Sequence, residues 1–205
     1  MAELIEPSPQ VLWQAANLEG ELLNGPWQLL LLGDGSPTRH LQLLTGAVVE
    51  VEVAAMAAEP EGWLQPKQVE ELETPLLRRQ VWLICGGETL AWAESWWNQS
   101  KAEQNLRERH QPIWRSLTSN RTELFREVDG LALVNAPWLQ KRFKRSGPFW
   151  SRHYRFFRQG ATLTVIQEVF SPALERFLGS ACTEKNYQRL LNMCGDAAKA
   201  ADQIA

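Results

Sequence analysis

Two hairpin patterns constrain the fold of this chain most strongly. In each, two apolar, strand-like segments flank a two-residue turn that contains glycine: 77–85 and 88–97 around Gly86-Gly87, and 149–158 and 161–170 around Gln159-Gly160. Glycine readily adopts the positive φ that such tight turns require. Each pattern therefore predicts a pair of antiparallel strands.

Further strands and helices are predicted around the two hairpins. The valines of 49–53 alternate with glutamates, and 123–134 shows a similar alternation, so both segments predict strands. Capping residues and apolar periodicity predict helices over 8–20, 36–46, 100–110, 112–117 and 135–147. Because the strands come as hairpins without regular strand–helix–strand alternation, we expect an α+β fold, with helices packed against an antiparallel sheet.

The composition favours one globular domain. The chain has 205 residues, of which 44% are hydrophobic, and proline, glycine and charge are spread evenly along it. We therefore expect a single domain over residues 1–205, in which 173–205 form a polar, Ala-rich, helical C-terminal extension. The sequence leaves open whether the protein is a monomer or a dimer.

The same composition disfavours several classes of function. The net charge is −3 and there is no basic stripe, which argues against a nucleic-acid partner. No apolar run approaches the roughly 18 residues of a membrane span, and the N-terminus lacks a signal-type apolar segment. Because Cys85, Cys182 and Cys194 are scattered and the three histidines lie far apart, we predict a reduced, cytoplasmic protein without a metal site.

Glu168 is the first candidate for a functional residue. On a strand it shares one face with Thr164, Ile166 and Phe170, and the other face of the same strand is also largely apolar. Such a strand is expected in the interior of the sheet, where an unpaired carboxylate is costly. Glu168 is therefore either at an edge, in a structural ion pair, or directed at a ligand.

Arg79 is the second candidate. It precedes Val81 and Leu83 on one strand face, while Arg78 shares the other face with Trp82. An arginine at the start of an apolar face can bind a buried carboxylate, either that of Glu168 or that of a ligand, because its planar fork matches carboxylate geometry. The alternative is that both arginines lie at an exposed strand entry.

Two weaker features complete the set. The ten tryptophans favour a large aromatic core, but they could also line a pocket for a flat ligand. The turn Gly33-Asp34-Gly35-Ser36 precedes a helix, a geometry that can bind an anion, although it is more often a simple turn and cap.

Several segments, taken in order, resemble the chorismate lyase (chorismate pyruvate-lyase) family. They are the Ser-x-Thr-basic segment within Leu32–Leu41, the Arg-led strand and turn Arg79–Glu88, Pro112–Leu117, Trp150–Gly160, and the Glu-x-Phe-x-Pro ending in Gln167–Pro172. The resemblance spans about residues 25–172. The segment GDGSPTRHLQLLTG is similar to the cyanobacterial and plastid branch of the family.

The resemblance implies a cofactor-free enzyme that converts chorismate to 4-hydroxybenzoate and pyruvate, a step that would feed quinone synthesis, in particular plastoquinone. At the position that matches the family's strand arginine, Arg79 would bind a substrate carboxylate. Glu168 would protonate the leaving ether oxygen or hydrogen-bond the C4 hydroxyl. Ile113 stands at a backbone contact to the ligand. Pro37 replaces a family methionine near the ligand, and it has neither an N–H nor a flexible side chain.

Two other functions remain open at this point. The family's fold also serves as the ligand-sensing half of some transcription regulators, which would make this chain a non-catalytic binding module for a small molecule. A Trp-rich interaction protein is the second alternative, and it would present an exposed aromatic patch.

Overall fold

A computed structural model describes residues 5–15, 22–60, 62–63, 65–106, 113, 117, 123–190 and 192. Within these residues the strands are β1 (Gln10–Gln14), β2 (Val49–Ala58), β3 (Leu76–Cys85), β4 (Glu88–Asn98), β5 (Phe125–Asn135), β6 (Phe149–Arg158) and β7 (Ala161–Phe170). They form one antiparallel sheet in the order β1-β5-β6-β7-β4-β3-β2.

Short helices cover this sheet. They are α1 (Gly25–Leu32), α2 (Pro37–Thr45), α3 (Gln99–Asn105), α4 (Pro137–Phe143), α5 (Glu175–Leu178) and a helix at 184–190, with 3₁₀ turns at Lys67–Val69 and Pro172–Leu174. Together with the antiparallel sheet, these helices confirm the predicted α+β fold.

None of the described helices has the length and apolarity to cross a membrane.

The two predicted hairpins form the middle of the sheet. Both residues of each turn have positive φ, 57° and 80° at Gly86-Gly87 and 52° and 76° at Gln159-Gly160, as turns that match the twist of a hairpin require. Strand β4 of the first hairpin pairs with β7 of the second. Strand β7 is therefore the central strand of the seven, and the edge position considered for Glu168 is excluded.

The sheet buries both of its faces. On the face that we call the site face, Glu168 lies between Ala93 of β4 and Arg152 of β6. Helix α1 packs on this face against β5 and β6, and α2 packs against β2 and β3. The opposite face carries Arg78 and Glu94, and α4 packs there against Trp82 and other aromatic side chains. Polar groups on either face must therefore find partners inside the protein.

The helix predicted over residues 8–20 is wrong for its described part. Residues Gln10–Gln14 form the edge strand β1, which pairs with β5. A β-bulge between Val11 and Trp13 turns the consecutive residues Leu12 and Trp13 both towards the core. Because two consecutive residues face the core, the apolar positions of this strand resemble the periodicity of a helix, which is why the sequence predicted one. Residues 16–20 lie outside the described part.

Other boundaries differ by smaller amounts. Helix α3 begins at Gln99, one residue before the predicted capping box, because the side chain of Asn98 accepts a hydrogen bond from the backbone N–H of Lys101. Helix α1 was not predicted, and its residues are apolar on nearly all sides. Helix α4 ends at Phe143 rather than near 147. The predicted helix over 112–117 lies outside the described residues except for positions 113 and 117.

The tryptophans belong mainly to the core. Every tryptophan that the structure describes is buried or half-buried, and several contact one another edge to face, for example Trp82 with Trp138 and Trp13 with Trp150.

Helix α2 was predicted correctly, with Ser36 as N-cap, Pro37 in the first turn and Gly46 in the left-handed conformation after its end.

Candidate active site

A cavity lies between the site face and the N-terminal turn of α2. It holds about 420 Å³ of empty space, counting its open mouth. All four residues predicted for the site line it: Pro37, Arg79, Ile113 and Glu168. The remaining polar lining comes from Ser36, Thr38, Arg126 and Tyr154, and the apolar lining from Val51, Val81, Leu83, Ala93, Phe156 and Ile166. The fold therefore brings together residues 131 positions apart, from Pro37 to Glu168.

Glu168 is held from two directions. Its side chain is almost fully buried, and Arg152 Nε donates to Oε2 at 2.7 Å while the Tyr154 hydroxyl donates to Oε1 at 2.8 Å. Glu168 thus satisfies the ion-pair interpretation and lines the cavity as well. Each oxygen keeps a lone pair, so the carboxylate can still accept a hydrogen bond from a ligand.

Arg152, the ion-pair partner of Glu168, was not identified from the sequence. It is completely buried, and besides Glu168 it donates to the carbonyls of Leu30, Gly33 and Gly35 at 2.8–3.3 Å. Burial by itself lowers the pKa of Arg152, but the Glu168 carboxylate outweighs burial and the net pKa is raised. Arg152 therefore stays charged and joins β7 to the end of α1.

The regular register of the hairpin does not identify Arg152 as the partner of Glu168. Without an irregularity, the turn at Gln159-Gly160 would place Arg152 opposite Gln167. A bulge between Phe156 and Phe157 shifts the pairing by one residue, so that Arg152 lies opposite Glu168. The signal is present in the sequence only as an arginine near the right position, because nothing local marks the bulge.

Tyr154 was missed for a similar reason, since it reads as one more aromatic residue of a core strand. Burial, and then the neighbouring Glu168 carboxylate, raise the pKa of the Tyr154 hydroxyl. The phenol therefore keeps its proton and remains a hydrogen-bond donor to Glu168. It fixes the carboxylate at the cavity wall.

Arg79 lies on β3 and faces the cavity, as the alternation of the strand predicts. It is 2% exposed, so the exposed strand entry is excluded for this residue. Burial lowers the pKa of Arg79 to about 10. Since this value is well above 7, the guanidinium is charged at neutral pH, where it is a desolvated cation that a carboxylate ligand would stabilise.

Arg78 faces away from the cavity. Its guanidinium binds the buried Glu94 carboxylate, with Nε 3.0 Å from Oε1 and Nη2 2.9 Å from Oε2, and it also donates to Ser8. The exposed entry is therefore excluded for Arg78 too. Burial raises the pKa of Glu94 in spite of the Arg78 charge. This cluster ties the N-terminal segment to the opposite face of the sheet.

The turn Gly33-Asp34-Gly35-Ser36, which the sequence left open as an anion site, instead accepts hydrogen bonds from two arginine side chains. Carbonyls of Gly33, Asp34 and Gly35 accept hydrogen bonds from Arg152 and Arg126. The turn follows the C-terminus of α1, where unpaired carbonyls and the helix dipole favour positive charge. The N-terminus of α2 does face the cavity, through Ser36, Pro37 and Thr38.

His40 lies beside this turn, where its ring packs against Gly35. Burial, followed by the charges of Arg152 and Arg126, lowers the pKa of His40. A neutral imidazole is therefore expected next to the two guanidinium groups at neutral pH. Among the described residues, no group of three His, Cys, Asp or Glu side chains is arranged to hold a metal ion.

A second, larger cavity lies between β5, β6 and the segment after β7, with about 950 Å³ of empty space including its open mouth. Its described lining includes Glu175 and Glu184 together with aromatic side chains, but no lysine or arginine. An anionic ligand would find no cation there. None of the predicted site residues lies at this second cavity, so the smaller one is the candidate site.

The fold is similar to that of solved effector domains. The effector domain of PhnF from Mycobacterium smegmatis matches with a TM-score of 0.53 and 12% identity, over 68% of this chain and 90% of that domain. The longer PhnF structure matches with a TM-score of 0.54 and 14% identity, over 69% of this chain and 66% of PhnF. At such low identity the likeness concerns the fold alone.

Proteins related by sequence share a higher identity with this chain than these solved structures do. The chain is 31% identical to the uncharacterized protein ycf21 of Cyanophora paradoxa over 77% of this chain and 83% of the relative, and 33% identical to that of Porphyra purpurea over 74% and 83%. A family model described as chorismate pyruvate-lyase Rv2949c-like matches residues 31–178, which include β2 to β7 and Pro37, Arg79, Ile113 and Glu168. The chain therefore belongs to the Rv2949c-like chorismate pyruvate-lyase family.

Proposed function

We propose that this chain is a chorismate lyase, which eliminates pyruvate from chorismate to give 4-hydroxybenzoate without a cofactor. The observation that carries the proposal is that Arg79 and Glu168 line one cavity together with Pro37 and Ile113. These are the four positions at which the family resemblance expects contact with the substrate. Membership of the family supports the same reaction.

Arg79 is the proposed anchor for the ring carboxylate. Arg79 is buried and lines the cavity together with the apolar residues Val81, Leu83 and Ile166. At such a site a carboxylate gains a charge-assisted, planar pair of hydrogen bonds. The N-terminal turn of α2 adds a favourable dipole for the same anion. Pro37 cannot supply an N–H, so the first backbone N–H of this helix is that of Thr38.

Glu168 is proposed to act as a hydrogen-bond acceptor at C4 of the ring. Both of its oxygens already accept from Arg152 and Tyr154, an arrangement that suits an acceptor better than a proton donor to the ether oxygen. A remaining lone pair can accept from the C4 hydroxyl and orient the ring. This choice favours one of the two roles that the resemblance left open.

The proposed reaction then needs mainly positioning. The C4–H bond supplies the electron pair that completes the aromatic ring, its proton departs, and the C3–O bond breaks. The enolpyruvate leaves with the electrons of that bond and takes up a proton at its methylene carbon to become pyruvate. Because aromatisation drives the reaction, holding the conformer and balancing charge are the contributions left to the protein.

Glu168→Gln tests this role. We expect kcat for 4-hydroxybenzoate formation to fall by roughly 10- to 100-fold, as expected when one hydrogen bond from the substrate to a charged acceptor is weakened. Glutamine keeps the shape and can still accept from Arg152, so circular dichroism should show a folded protein. Product formation from chorismate is followed by chromatography.

Glu94→Gln is the matched control, since Glu94 is also a buried carboxylate paired with an arginine, but on the opposite face. It should leave kcat near the native value. Full activity of Glu168→Gln, or an equal loss in both variants, would contradict the role of Glu168. Absence of product from the folded native protein would contradict the lyase proposal itself.

A non-catalytic binding module is the second candidate, because the fold is that of the PhnF effector domain. It predicts saturable binding of chorismate or 4-hydroxybenzoate without turnover. An interaction protein built on exposed tryptophans has no comparable support, since the described tryptophans are buried or half-buried. We further propose that the product feeds quinone synthesis, in particular plastoquinone, in the cytoplasm.

A further inference from the structure

Arg126 is a cavity residue to which neither the sequence nor the family resemblance assigned a role. It reaches the cavity from β5, which is four strands away from β3, the strand of Arg79; both side chains lie on the site face. Its guanidinium carbon lies 4.7 Å from the centre of the Tyr154 ring and 4.6 Å from that of Phe156. Contact with two aromatic faces fixes the plane of the guanidinium and stabilises its charge.

The hydrogen-bond donors of Arg126 are only partly used. Nη1 donates to the carbonyls of Asp34 and Gly35 at 2.7 and 2.6 Å. Nε is buried, and within the part of the chain that the structure describes no acceptor meets it. Nε and Nη2 form the edge with which an arginine binds both oxygens of one carboxylate. Of this edge, Nε has no acceptor among the residues that the structure describes, and the two aromatic contacts hold the guanidinium in place.

Arg126 and Arg79 reach into the cavity from opposite ends. Their strands, β5 and β3, are separated by β6, β7 and β4, so their backbones lie roughly 19 Å apart at a strand spacing of about 4.8 Å. Tyr154, Glu168 and Ala93 of the intervening strands form the floor between them. Two long cationic side chains therefore line the same cavity as Glu168.

We propose that Arg126 is a second carboxylate anchor, which makes the cavity selective for ring ligands that carry two carboxylates. The inference rests on the proposed function, in which Arg79 binds the ring carboxylate of chorismate. Arg126 then binds the carboxylate of the enolpyruvyl group. This group departs when the C3–O bond breaks, so 4-hydroxybenzoate retains only the contact with Arg79.

Two stable probes test the selectivity without turnover. 3-(Carboxymethoxy)benzoate has an ether at C3 that ends in a second carboxylate, and 3-methoxybenzoate has the same ether without it. We expect calorimetry to show that the native protein prefers the dicarboxylate. Arg126→Gln should weaken the dicarboxylate by roughly ten- to a hundredfold, as expected for lost hydrogen bonds between charged groups, and should weaken the monocarboxylate much less.

Arg155→Gln is the matched control for charge. Arg155 lies on β6 but on the opposite face, where it pairs with Asp129, so its loss removes the same charge without touching the cavity. It should leave the ratio of the two affinities unchanged. If Arg126→Gln does not fold, Arg126→Lys keeps a charge and a donor for the turn carbonyls but lacks the fork, and the preference should fall there as well.

The outcomes separate this inference from the lyase proposal. If Arg126→Gln weakens both probes equally, or if the native protein does not prefer the dicarboxylate, Arg126 only braces the turn and the inference is overturned, whether or not chorismate is turned over. If the preference depends on Arg126 but chorismate gives no product, the dicarboxylate site is supported and the lyase proposal fails.

Discussion

Arg152 and Glu168 show how much one buried pair can organise. Arg152 is fully buried and Glu168 nearly so, and the guanidinium also holds three carbonyls at the end of α1 and in the following turn. Two buried ionic groups are costly to desolvate, so the pair is stable only because nearly every donor and acceptor is satisfied. The same contacts fix the carboxylate at the cavity wall.

Arg152→Gln should therefore destabilise the protein strongly. It leaves the Glu168 carboxylate without its cation and removes donors from the carbonyls of the turn, so we expect the free energy of unfolding to fall by about 3–5 kcal/mol. Urea denaturation followed by tryptophan fluorescence measures the change. Arg142→Gln is the control, because its ion pair with Glu52 is exposed and should contribute at most about 1 kcal/mol. Similar small losses in both variants would show that the buried pair adds little.

At the scale of elements, the turn between α1 and α2 connects the sheet to the cavity. Its carbonyls bind Arg152 and Arg126, and it directs the N-terminus of α2 at the cavity. Gly35 is required there because a Cβ at this position would overlap the His40 ring. The turn is therefore held by close packing on one side and by two arginines on the other.

Gly35→Ala tests this packing. We expect it to displace His40 and to lower the free energy of unfolding by about 1–3 kcal/mol, as overpacking does, and to raise KM for chorismate. The double variant Gly35→Ala with His40→Ala should recover most of the loss, because the overlapping ring is gone. Gly25→Ala is the control, since a Cβ added at that position would have no atom within 4 Å. No recovery in the double variant would assign the effect to the backbone of Gly35.

At the scale of the whole molecule, one sheet carries cores on both faces. The core on the site face contains Trp27 and Trp150, and the core on the opposite face contains Trp82 and Trp92. Because strands β2 to β7 each contribute side chains to both cores, neither core can be lost alone without disrupting the strands of the other. This continuity is the physical basis for expecting one domain.

We therefore expect a single cooperative unfolding transition. The midpoint in urea should be the same by far-ultraviolet circular dichroism, which follows the sheet, and by near-ultraviolet circular dichroism, which follows the tryptophans of both cores. Strand-rich secondary structure and aromatic packing should disappear together. Two separate midpoints would contradict the single domain expected over residues 1–205 and would point to an independent unit, for example within 173–205.

Features that depend on neighbouring residues were predictable from the sequence. The turns at Gly86-Gly87 and Gln159-Gly160 select hairpins through their positive φ, and Ser36, Pro37 and Gly46 delimit α2 through local capping. Strand alternation put Arg79 and Glu168 on largely apolar strand faces, but it left an exposed strand entry open for Arg79 and an edge position open for Glu168. The family resemblance, rather than alternation, added Pro37 and Ile113 to the site.

Features that depend on long-range pairing were decided only by the tertiary structure. An extra residue in β7, Leu163, shifts the pairing so that Arg152 lies opposite Glu168. Another bulge gives β1 a helix-like pattern, and the pairing of β4 with β7 makes β7 the central strand. Arg126 joined the cavity only because β5 lies beside β6. A bulge or a strand order depends on contacts between residues far apart in the chain, and no local pattern of residues records those contacts.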